Sequence, residues 1–284
     1  MLESIVNPKR TTKGPVKMLL VGMIYASLSL LLVKLFFSGD SVLYEYAGMI
    51  VVTFSVMFSL PFMYYLIKEE EEEDEHVEGF FAVWRMHKDA LFAFMWLFLG
   101  FLIAFSFWFI LLQDQTLFNA QIETYCAINS PGGIEDCVSR YSFGSGATGA
   151  VTKEIRLLSI LSNNIYVMLF TLLFSLIFGA GAIFILAWNA SVIAAAIGIF
   201  SQYNIGQIPL GLFRYMIHGF PEIAAYFITA LAGGIFGVGI LRNGIRNRMF
   251  IRLAENTAIM LFISIIILVF AAIIEVYFTP ILFN

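Results

Sequence analysis

The stretch "ASVIAAAIGIFSQYNIGQIPLGLFRYMI", residues 190–217, decides how often this chain crosses a bilayer. Its unbroken apolar part, VIAAAIGIF, is too short to span about 30 Å of hydrocarbon at about 1.5 Å per residue. SQYNIGQIPLG follows, with polar residues, two glycines and Pro209. The segment therefore either crosses once with a break, or dips in and returns on the same side.

Composition makes the bilayer the frame for this choice. Of 284 residues, 60% are hydrophobic and 13% charged, and 30 are Phe, which leaves too little charged surface for a soluble core of this size. Apolar runs at residues 18–37, 46–67, 91–112, 165–188, 220–241 and 256–278 are long enough for spanning helices. The first follows Lys9, Arg10, Lys13 and Lys17. It is longer than a secretory signal core and no small-residue cleavage site follows, so it reads as an uncleaved transmembrane helix.

Lysine and arginine accumulate in short cytoplasmic loops. If residues 190–217 cross, Arg242, Arg246, Arg248 and Arg252 fall on the side of the basic N-terminus, with Lys68, Arg85 and Lys88. If they only dip in, those arginines fall on the other side. The sequence thus predicts an all-α polytopic transmembrane helical bundle of about seven spans with a broken fifth segment. It is expected in the cell membrane, N-terminus cytoplasmic and C-terminus outside.

Cys126 and Cys137 flank a Pro-Gly-Gly turn in TYCAINSPGGIEDC, within a hydrophilic stretch that this topology places outside. An oxidising compartment favours a disulfide there, against the alternative of two unrelated thiols. Two cysteines without a nearby histidine lack a zinc ligand set. The acidic run KEEEEEDEHVEG, residues 68–79, reads as a solvated, negatively charged helix extension, with a weak calcium or polybasic-partner site as the alternative. His76 does not complete a metal motif, and His87 reads as part of an interfacial helix entrance.

No Gly-x-Ser-x-Gly elbow, phosphate-binding loop or His-Glu-x-x-His motif is present, so the chain is expected not to be an enzyme. Polar residues at membrane depth are costly, and they are the functional candidates. Asn163 and Asn164 open the fourth span, Asn189 closes it, and His218 and Glu222 stand one helical turn apart at the start of the sixth. Because proline suits a first helical turn, Pro221 places the helix start near Gly219, with Glu222 under the positive end of the helix dipole. The pair is compatible with a hydrogen-bonded cap, with a metal such as zinc held with further donors, or with an ion or proton path. Gly233, Gly234 and Gly237 offer a small-residue face for close helix packing, within the chain or across a dimer, and Gly179 and Gly181 could face it. Glu275 lies near the outer interface, where a carboxylate can snorkel.

Taken together, LSNNIYVMLF, FGAGAIFILAWNASVIAAAIG and FRYMIHGFPEIAAYFITALAGGIFG resemble the stage II sporulation protein M family of integral membrane proteins. The combination carries the likeness: paired asparagines, a glycine-rich span end, an asparagine after tryptophan, then His-Gly-x-x-Glu and a small-residue helix. The start NPKRTTKGPVKMLLVGMIYASLSLLL and the end IIEVYFTPILF are similar to archaeal members. Asn189-Ala190 stands where many relatives have Asn-Gly. The family pattern falls on Asn163, Asn164, Asn189, His218 and Glu222.

In sporulating bacteria the resemblance implies a component of engulfment machinery that recruits partners acting on the cell wall. An archaeal-type member would lack endospores and that wall polymer, so the resemblance bears on fold and site more than on process. The chain divides into residues 1–112, with three spans and an acidic inner loop, an outer loop at 113–160, and a family-like core at 161–284.

Three functions follow as expectations. The first is a non-enzymatic scaffold in the lipid bilayer, homodimeric, organising membrane or extracellular protein partners or membrane shape, with no nucleic acid. The second is a transporter or channel for an ion or small solute. The third is an intramembrane metalloenzyme using His218 and Glu222, for which zinc would need about three protein ligands.

Overall fold

The computed structural model describes residues 15–74, 80–129, 135, 137, 138, 153–178, 183–243 and 248–283. These are almost wholly helical: α1 (Pro15–Phe37), the short α2 (Ser41–Glu45), α3 (Ala47–Asp74), α4 (Phe80–Leu112), α5 (Asn119–Asn129), α6 (Lys153–Phe178), α7 (Ile183–Phe200), α8 (Ile208–Asn243), α9 (Arg248–Ile273) and α10 (Thr279–Leu282). Short 3-10 turns at Gln115–Phe118 and Ile205–Gln207 precede α5 and α8, and a π-helical turn, Ile274–Phe278, joins α9 to α10. Among the described residues, seven helices are long and apolar enough to cross a membrane: Val16–Phe37, Ala47–Tyr64, His87–Leu112, Arg156–Ile177, Ile183–Phe200, Ile205–Leu241 and Phe250–Leu282. The all-α bundle expected from composition is what the chain forms.

The second half is partitioned differently from the sequence reading. Residues 190–217 are not one segment: α7 ends at Phe200, residues 201–207 turn, and α8 starts at Ile208. VIAAAIGIF becomes long enough to cross because the helix begins upstream at Ile183 and carries straight through Asn189. The Asn189 amide donates 2.7 Å to the carbonyl of Ile185 one turn back, so it is satisfied within its own helix and punctuates nothing. Left-handed backbone at Gln202 and Tyr203 then reverses the chain, and Asn204 caps the 3-10 turn by accepting from the Gly206 amide at 2.9 Å.

Contacts among loop residues fix which helix ends lie together. Asp114, after α4, accepts from Lys34 Nζ at 3.2 Å and from the Tyr44 hydroxyl at 2.6 Å. Burial, that hydrogen bond and the Asp114 charge push the Tyr44 phenol well above its ordinary range. Gln115 Nε2 donates 3.2 Å to the Tyr203 hydroxyl, and Phe213 packs on Phe283 with ring centroids 5.6 Å apart. The ends of α1, α4, α7 and α10 and the starts of α3 and α8 therefore share one end of the bundle, called here the disulfide end. The Cys126–Cys137 bond is formed, with Cα atoms 5.7 Å apart. Cys126 is fully buried and Cys137 nearly so.

At the centre, α4 contributes Phe94, Phe98, Phe101 and Phe105, all but inaccessible. These recur at three- and four-residue steps, so they form one face. Phe94 stacks on Phe227 of α8 with centroids 5.2 Å apart, and Phe105 meets Phe118 edge-on. His87, expected at an interface, is buried instead. Helix α1 reaches this core through a glycine pair: a Cβ on Gly22 would strike the Leu97 carbonyl, and one on Gly100 would strike that of Leu19. In lipid, where apolar burial gives helices little reason to associate, such backbone contact is a principal source of adhesion.

Replacing Gly100 by Leu should force α1 off α4 and lower the thermal unfolding midpoint in detergent, by about 1–3 kcal/mol of stability as in other overpacked cores. An unchanged midpoint would show that the α1–α4 contact carries no stability. Replacing Cys126 and Cys137 together by Ser should cost about 2–3 kcal/mol, read as a lower midpoint in the same assay.

Candidate functional site

Helix α8 runs unbroken from Ile208 to Asn243 with Pro221 inside it. His218 and Glu222 therefore lie well within the helix rather than at its start, and the expected stabilisation of Glu222 by a helix N-terminus does not apply. Pro221 lacks an N–H, so the Ile217 carbonyl loses its donor four residues on. Membrane helices tolerate this where neighbours re-satisfy the backbone.

Arg214, His218, Glu222 and Tyr226 follow one another at four-residue steps and so form one stripe on α8, each about 6 Å deeper than the last. Helix α6 and the end of α9 face this stripe. From α6, Asn164 Nδ2 donates to Glu222 Oε1 at 2.7 Å. Arg156 stands two turns nearer the disulfide end of α6. The π turn that carries Glu275 packs against both α8 and α6.

Thr279 donates its hydroxyl to the Ile274 carbonyl at 3.2 Å, bridging the widened turn, while His218 Nδ1 lies 3.2 Å from the same oxygen. The Thr279 hydroxyl thus stands between the His218 ring and the Ile274 carbonyl, and the tautomer of His218 sets which of the two it donates to. Arg214 stands over the mouth, its guanidinium 4.9 Å from the Phe200 ring centroid and 5.6 Å from that of Phe283.

The arrangement is a polar cleft at the disulfide end, with arginines at its rim and two carboxylates deeper. It ends at Tyr226. Beyond that residue, a Cβ on Gly233 would lie 2.9 Å from the Leu172 carbonyl oxygen and one on Gly237 would strike the Leu176 carbonyl. Ser175 of α6 also donates to the carbonyl of Ala230. Gly233 and Gly237 thus pack within the chain, onto α6. Gly234 is buried too, while Gly179 and Gly181 lie outside the described residues.

Of the residues expected to gather, Asn164, His218 and Glu222 belong to the cleft. Asn189 bonds its own helix, and Asn163 is exposed on the outside of α6. His218 and Glu222 engage Thr279 and Asn164 respectively. No group of three or more His, Cys, Asp or Glu gathers at metal-binding distance among the described residues. Glu275, expected near the outer interface, lies half-buried in the π turn. Arg156, Thr279 and Tyr226 had not been singled out by sequence. Only the four-residue period through Arg214, His218, Glu222 and Tyr226 could have signalled the stripe.

Fold and cleft together define a polytopic helical membrane protein with a polar cluster at membrane depth. The chain belongs to the stage II sporulation protein M family, whose model matches residues 18–280. No curated protein and no solved structure matches it.

Asn164→Ala should leave Glu222 without its amide partner and destabilise the protein by about 1–3 kcal/mol, while Asn163→Ala should cost less than about 0.5 kcal/mol. Thermal unfolding of both variants in the same detergent measures the difference. Equal midpoints would show that the Asn164–Glu222 bond is energetically idle.

Proposed function

We propose that the chain is a non-enzymatic, homodimeric membrane scaffold that organises partners or membrane shape, with the cleft serving to lock α6, α8 and α9 together. One observation carries this reading: the polar stripe of α8 stops at Tyr226, because the rest of the helix lies backbone-to-backbone on α6 at Gly233 and Gly237. A polar cleft closed at one end provides adhesion between helices but no route across. The disulfide end faces outside and the opposite end, flanked by Lys68, Lys88, Arg248 and Arg252, faces the cytoplasm. The positive-inside rule and the oxidising medium that sustains the cysteine bond support this orientation.

A second reading, a transporter for an ion or small solute, is favoured by the Glu222 carboxylate, bonded to Asn164 within a helix apolar enough to cross a membrane and one turn from His218. Ionisable groups of this kind inside membranes line proton and ion paths in pumps and transporters.

Reconstitution separates the two. In liposomes the protein should conduct neither protons nor potassium above the empty-vesicle leak, and native mass spectrometry from nanodiscs should find it at twice the 31.9 kDa chain mass. Flux that Glu222→Gln abolishes would replace the scaffold with the transporter. A monomer would remove the dimer.

A further inference from the structure

The face of α6 turned away from the bundle is not a uniform lipid surface. Ser159, Asn163, Tyr166, Phe170, Leu173 and Ile177 are all exposed. Their spacings alternate between four and three residues, the pattern of a heptad seam along a left-handed helix pair. Asn163 sits on this seam beside Asn164, and so at the depth of the Asn164–Glu222 bond. Its side chain has no hydrogen-bond partner among the described residues. An amide facing hydrocarbon is costly, and asparagine is too short to reach the headgroups from there.

We infer that two copies of this chain pair in parallel through the α6 seam, with Asn163 of each bonded to Asn163 of the other. The inference rests on the dimeric reading above and names its interface. Three physical arguments select a second copy over another occupant. The carboxamide is both donor and acceptor, so it is its own complement across a twofold axis. Two chains inserted with the same topology place the same residue at the same depth without adjustment. A single asparagine in a heptad-type helix seam fixes register and oligomer number. Phe170, Leu173 and Ile177 supply the apolar lower part of the seam, and Ser159 and Tyr166 add hydroxyls near its top.

Cysteine crosslinking in native membranes tests this directly, because the chain's two cysteines are already joined and no other cysteine competes. Asn163→Cys and Leu173→Cys should each give an oxidant-dependent dimer, while Phe220→Cys on α8 and Phe270→Cys on α9, both exposed, should not. Asn163→Leu should weaken dimerisation about tenfold on dilution into lipid, with the monomer's unfolding midpoint unchanged. Crosslinking at Phe220 or Phe270 but not at α6, in a protein that remains dimeric, would overturn this interface and leave the scaffold standing. A protein monomeric at every lipid ratio would overturn both.

Discussion

The bundle depends on the contact between α6 and α8, made in two chemically different ways along one pair of helices. Toward the end opposite the disulfide, the absence of side chains at Gly233 and Gly237 lets the two backbones touch. Toward the disulfide end the helices are joined by the Asn164 amide on the Glu222 carboxylate. The glycine contact sets the register and distance at which the hydrogen bond can form. In a medium without competing water, each half makes the other worthwhile: close approach brings the polar groups together, and their pairing removes the penalty of holding them in lipid.

That division explains why the chain can carry arginine, histidine and two glutamates in helices that are otherwise hydrocarbon. Arg214 lies flat over Phe200 and Phe283, so its charge stays at the rim over aromatic faces. His218 is oriented by Thr279, a residue whose hydroxyl is also repairing the backbone of the π turn. None of these groups depends on a long-range path through the protein. The cluster is a local settlement among three helices.

The sequence made the class of fold legible, because runs of apolar residues longer than a bilayer is thick have few alternatives. Its account of residues 158–222 went astray for identifiable reasons. Asn189 and Pro221 look like helix punctuation in water, where an asparagine competes for backbone bonds and a proline breaks the ladder. In the membrane the alternative to helix is worse, so Asn189 folds its amide back onto Ile185 and Pro221 is carried inside α8. His218 and Glu222 were visible as an ionisable pair one turn apart. Asn164 was visible as a polar candidate too, but its bond to Glu222 was not, nor was the part played by Thr279, since these partners lie 58 and 61 residues away and only packing brings them near. The Gly22 and Gly100 contact was equally hidden, each being one small residue in its own run.

Pro221 and the π turn at Ile274–Phe278 lie opposite each other, at the height where His218 meets Thr279. Both interrupt the backbone ladder of a long helix, and the two helices are neighbours. His218 and Thr279 thus meet where two neighbouring helices both depart from the regular α ladder, so the polar contact stands at the one level where each backbone has a carbonyl in need of a new partner.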